Sequence, residues 1–71
     1  MRKKISIEGI KCGDCVNLII EELKELNGVV YVEVNFIKEY AILSMDSEVA
    51  DVFIKYSLED AGYKVVSIDV L

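Results

Sequence analysis

Apolar and polar residues alternate near the start of the chain. Ile5 and Ile7 fall on one side, and Lys4, Ser6 and Glu8 on the other. That period of two predicts a strand over 3–10, which Gly9 lets the backbone leave. The period then changes. Val16, Ile19, Leu23 and Leu26 recur at steps of three and four, an apolar stripe along a helix over 14–26. Glu21, Glu22, Lys24 and Glu25 lie largely outside the stripe, and Leu18 and Ile20 do not fit it. Asp14 suits the N-cap or first turn, and Asn27-Gly28 is a helix stop in which Gly28 can take positive φ. Alternation returns over 29–35, with Val32 and Val34 inward and Tyr31 and Glu33 outward. It returns again over 40–45, where Ala41, Leu43 and Met45 share a face. The link over 36–39 holds neither Gly nor Pro, yet joins these two as an antiparallel hairpin. Asp46-Ser47 is a turn or cap before a second helix over about 48–61. Ile54, Leu58, Ala61 and either Val49 or Val52 form its inner face, and Gly62 ends it. A fourth strand over 63–70 points Val66, Ile68 and Val70 inward.

The order β-α-β-β-α-β predicts an α+β, ferredoxin-like fold: a four-stranded antiparallel sheet with two helices on one face. In that topology the loop after the first strand and the loop before the last lie at one end. Tyr63 is therefore expected near Cys12 and Cys15. Residues 1–71 are expected to form a single domain. A chain of this length buries only roughly 60% of its unfolded surface. An apolar fraction of 54% helps to offset so thin a core.

Charge and hydropathy narrow the partners. The net charge of −5 argues against nucleic acid and anionic membrane, and suits a steering patch for a basic protein. The longest apolar runs, 29–32 and 40–43, are far too short for a membrane span. The basic opening Arg2-Lys3-Lys4 leads into alternation rather than an apolar run, unlike a secretion signal. The expected location is the cytoplasm, as a standalone chain or as a soluble domain of a longer one.

Candidate chemistry concentrates at Gly9-Ile10-Lys11-Cys12-Gly13-Asp14-Cys15, which holds the only two cysteines. The pair sits on a strand-to-helix loop. Unpaired backbone N–H groups and the positive end of the helix dipole favour thiolates there. A neighbouring cation, Lys11, acts in the same direction. Metal binding and redox exchange both use thiolates. A closed structural zinc site takes four Cys or His ligands, and an iron–sulfur cluster about four cysteines. With two cysteines and no histidine, one chain completes neither. Two thiolates suffice for a soft monovalent ion, and Cu(I) is the metal that thiolates select in cells. An ion held by so few ligands stays open to an incoming thiolate, a site suited to transfer rather than storage. A C-x-x-C beside a βαβ pattern is also compatible with a thiol–disulfide redox module. Against that stand the short chain, the absence of a Trp before the pair, and the absence of any proline. A structural role is weaker still, since a disulfide across two residues constrains little chain.

These residues resemble the heavy-metal-associated domain family, the fold of small copper chaperones and of the N-terminal metal-binding domains of copper-transporting P-type ATPases. The family's Gly-Met-x-Cys-x-x-Cys is matched by the loop from Gly9 to Cys15. Gly28-Val29 is similar to its Pro-Gly-Val, and the stretch from Val32 through Val34-Asn35-Phe36 to its Val-x-Val-Asn-Leu. Ala41, Leu43, Asp46 and the ending Ala61-Gly62-Tyr63 also match. The resemblance implies a non-enzymatic domain in which Cys12 and Cys15 bind one Cu(I) per chain. Thiolate exchange would then pass the ion to a similar partner domain, such as that of a P-type metal-transporting ATPase. It implies a monomer or a metal-bridged dimer, and a Tyr63 that shields or tunes the site without ligating. Three departures stand out. Ile10 replaces a Met that packs beneath the loop, a swap of similar volume. Asp14 lies between the cysteines, as a helix cap or as a hard oxygen ligand that would favour Zn(II) or Cd(II), with Hg(II) a further thiophilic alternative. Glu22 stands where the family often has a small residue, which implies looser helix packing.

Overall fold

A computed structural model describes residues 1–11 and 13–71. Its elements run β1 (Arg2–Glu8), α1 (Gly13–Lys24), β2 (Val29–Asn35), β3 (Tyr40–Met45), α2 (Asp51–Asp60) and β4 (Lys64–Val70). The strands form one antiparallel sheet in the order β2-β3-β1-β4, the ferredoxin-like arrangement expected from the pattern. Alternation decides which face the helices cover. Ile5 and Ile7 of β1, Ala41, Leu43 and Met45 of β3, and Val32 of β2 are buried beneath Ile19 and Leu23 of α1 and Ile54 and Leu58 of α2. The opposite face is polar and mixed in charge. There Lys4 lies across from Asp69 and Glu8 from Lys64, pairings of the kind that favour this register. Lys4 also stands 4.6 Å from the centre of the Tyr40 ring.

The four-residue hairpin link needs no glycine because Glu39 takes the left-handed conformation itself, at φ 55°. Asn35 Oδ1 accepts the Lys38 N–H at 2.9 Å, and the Glu39 carbonyl accepts the Ile7 N–H at 3.0 Å. Together these bonds hold the turn against β1.

Several expectations need correction. β1 ends at Glu8 and α1 at Lys24, each two residues short of the periodic pattern. Val66 and Val70 do not face the core: they are 55% and 73% exposed. Ser6 pairs with Ser67 but Ile7 pairs with Val65, so Val66 is the extra residue of a β-bulge. Val65 packs inward in place of Val66, and Ile68 packs inward as expected. Val30 is the corresponding extra residue in β2. The two edge strands thus each carry a bulge, an interruption that discourages pairing with another chain. Of the two candidates for the inner face beside α2, Val49 is buried and Val52 is exposed.

α2 begins at Asp51 rather than near 48 because the preceding segment is held extended, with Ala50 at φ −65°, ψ 141°. The tie is Lys3. Its ammonium donates to the Val49 carbonyl at 2.8 Å, Asp51 Oδ1 at 2.7 Å and Glu48 Oε1 at 3.2 Å. Lys3 is only 3% exposed. The hydrogen bond to Asp51 holds its pKa above the ordinary lysine value, against the opposing effect of burial.

Candidate metal site

Three loops share one end of the sheet. Ser6 lies opposite Tyr40 and Glu8 opposite Lys64, so 9–11, 36–39 and 61–63 leave the sheet together. The first opens the cysteine motif. Gly9 ends β1 at φ 102°, a conformation that L side chains rarely adopt. Ile10 then plunges into the core, 6% exposed, and anchors the loop from below. This is the role expected of it in place of Met. Lys11 is exposed.

Cys15 falls in the first turn of α1, half-buried and packed against the core beside Val16. Asp14 is exposed in the same turn, as a first-turn acid beside the positive end of the helix. Cys12, the other expected ligand, lies outside the described residues. Among the described residues no three His, Cys, Asp or Glu side chains converge into another cation site.

Tyr63 arrives from the opposite side by a mechanism written in the sequence. α2 closes in a Schellman arrangement. The Tyr63 N–H donates to the Leu58 carbonyl at 3.0 Å, and the Gly62 N–H to the Glu59 carbonyl at 3.1 Å. Gly62 supplies the positive φ of 99° that the motif requires. The reversal sends Tyr63 into the core, where Leu58 is also buried. The ring edge comes to rest 3.7 Å from where a Cβ on Gly9 would stand. Ala61-Gly62-Tyr63 is therefore a helix stop and an aiming device at once. It brings Tyr63 beside Gly9, where the thiol loop leaves β1.

A family model for the heavy-metal-associated domain matches residues 4–64. The chain belongs to the heavy-metal-associated domain family. The copper chaperone CopZ of Staphylococcus aureus (strain MRSA252) is 35% identical over 63 residues, covering 87% of this chain and 93% of that protein. Among solved structures, the CopZ metallochaperone superposes with a TM-score of 0.88 at 31% identity, covering 93% of this chain and all of that one. The copper binding domain from HMA7, a P-type ATPase, superposes at 0.83 with 28% identity over 99% and 100% of the two chains. This heavy-metal-associated domain thus shares its fold with chaperones and transporter domains alike. No helix among the described residues is long and apolar enough to cross a membrane.

Sequence reasoning missed one buried charge. Lys3 has the same parity as Ile5 and Ile7, so the alternation that placed them inward also placed it inward. Glu48 and Asp51 are the acids it meets.

Proposed function

We propose that this domain carries one Cu(I) between Cys12 and Cys15 and passes it to a similar domain by thiolate exchange. The observation that carries the reading is Cys15 in the first turn of α1, on a loop rooted by Gly9, Ile10 and Tyr63, in a chain of this family. Backbone N–H groups at the helix start stabilise the thiolate form. Two soft sulfurs satisfy a monovalent ion and leave it accessible. A thiolate from the partner adds to the bound Cu(I), one of the two cysteine sulfurs leaves, and the ion migrates without change of oxidation state. The domain is a carrier rather than an enzyme, and its partner is another metal-binding domain, as in a P-type metal-transporting ATPase. Residues 1–71 suffice for the site, and the cytoplasm is the setting we assign it.

Ile10 supports the loop, Tyr63 screens its base, and Asp14 serves the helix start rather than the ion. The test is competitive titration of the reduced chain with Cu(I) and Zn(II), each against a calibrated chelator, followed by native mass spectrometry. One equivalent of tightly held Cu(I) with weak Zn(II) is the expected outcome. Zn(II) or Cd(II) held as tightly, and weakened by Asp14→Ala, would overturn the choice of metal and make Asp14 a ligand. Binding of neither ion, with catalytic turnover of a test disulfide, would replace the carrier with a redox module.

A further inference from the structure

The thiol loop accounts for one end of the molecule. A groove between α1 and α2 reaches the other, where Glu25 follows α1 and Glu48 precedes α2. Two depressions, of about 500 and 460 Å³, adjoin along it and share Leu26 and Phe53 in their walls. The walls are apolar. Leu26 is half-buried, Val49 is buried, and Phe53 and Tyr56 of α2 are 62% and 73% exposed. Two aromatic rings side by side on a helix of so small a protein form an apolar patch of the kind that marks interaction surfaces. The rim has a single sign of charge: Glu22, Glu25, Glu48 and Asp60 border the groove, and among the described residues no Lys or Arg lines it. Lys3 engages Glu48, while Glu22, Glu25 and Asp60 make no ion pair among the described residues.

We propose that this groove docks a basic segment of a partner protein. One large apolar side chain of that segment enters between Leu26 and Phe53, and flanking Lys or Arg residues face Glu22, Glu25 and Asp60. Charge selects this occupant. A second copy of the chain brings a net charge of −5 to an acidic rim, and the middle lysine of its one dense basic stretch, Arg2-Lys3-Lys4, is buried. Nucleic acid and anionic lipid are repelled for the same reason. At its Glu25 and Glu48 end the groove lies away from Gly9 and Tyr63, and at Asp60 it comes next to the 61–63 loop, so a segment lying along it keeps the partner at high local concentration beside the thiol end. The proposal does not depend on which metal the loop carries.

The test uses the reduced, metal-free, ¹⁵N-labelled chain and two synthetic peptides, Lys-Lys-Leu-Phe-Lys-Lys and Glu-Glu-Leu-Phe-Glu-Glu. The basic peptide is expected to shift amides within 22–27 and 48–60, less so as salt is raised, and the acidic peptide to shift none. Phe53→Ser should weaken binding about tenfold and Glu25→Lys about fivefold. Both positions are exposed, and amide spectra remote from the groove check that each variant is folded. Shifts centred on 9–15 or on the polar sheet face, equal binding of the acidic peptide, or variants that bind like the parent would overturn the proposal. So would concentration-dependent broadening of the chain alone, which would assign the groove to a second copy.

Discussion

Replacing Lys3 with methionine keeps the apolar stem and removes the ammonium. Three hydrogen bonds go with it, and they are unequal. The carboxylates of Glu48 and Asp51 are 69% and 58% exposed, so both rehydrate, and each pairing accounts for about 0–1 kcal/mol. The Val49 carbonyl belongs to a residue only 4% exposed, and leaving a buried acceptor without a donor costs about 1–3 kcal/mol. Methionine recovers part of this, because no charge then needs desolvation. The net expectation for Lys3→Met is a loss of about 2 kcal/mol, a drop in Tm of roughly 10 °C for a domain this size. Asp51→Asn and Glu48→Gln should each cost under about 1 kcal/mol. The pH dependence has a definite sign. The folded pKa of Lys3 is raised above its ordinary 10.5, so its contribution is complete below that value and fades as pH rises through the folded pKa. Urea unfolding of parent and Lys3→Met at neutral pH and above about pH 11 should show the stability gap narrowing. A variant as stable as the parent, or a gap unchanged at high pH, would refute the role given to the ammonium.

Gly28→Ala should destabilise by about 2 kcal/mol or more: its φ of 100° disfavours a side chain, and the new Cβ would lie 2.6 Å from Ser47 Oγ and 3.1 Å from the Ser47 carbonyl oxygen. Denaturant unfolding reads this directly. Ile10→Met, a near-isosteric swap at a buried site, should change stability by less than about 1.5 kcal/mol and leave Cu(I) stoichiometry unaltered. Tyr63→Ala should lower stability by about 3 kcal/mol, because the ring is part of the core. It should also release Cu(I) faster to a competing chelator. Tyr63→Phe keeps the ring and should recover the packing part of the stability loss, and equal release rates for all three proteins would remove the ring from the site.

The parts of the fold that were legible are those where one period dominates. Ile5 and Ile7, the α1 stripe and the Ala41-Leu43-Met45 face were placed by alternation or helical spacing alone, since each faces a single core. Legibility failed where a local event breaks the period. The extra residue at Val66 shifts the phase of β4, and neither neighbour of that valine announces a bulge. Lys3 followed the alternation faithfully, but its charge hid it. Only the distant Glu48, Asp51 and Val49 carbonyl make its burial possible, and they meet it through tertiary structure. At the site, Ala61-Gly62-Tyr63 was readable as a helix stop and, through topology, as a neighbour of the loop. The groove between the helices was not readable. Phe53 and Tyr56 sit off the inner stripe of α2, and their meeting with Leu26 depends on how far α1 stands from α2.

Cu(I) titration against a high-affinity chelator, run on the parent chain, Cys12→Ser, Cys15→Ser and Asp14→Ala, tests most directly whether the two thiolates hold the ion. One equivalent should be held by the parent and by Asp14→Ala, and none retained in competition by either serine variant. Retention by either serine variant, or loss in Asp14→Ala, would contradict a site built from the two thiolates.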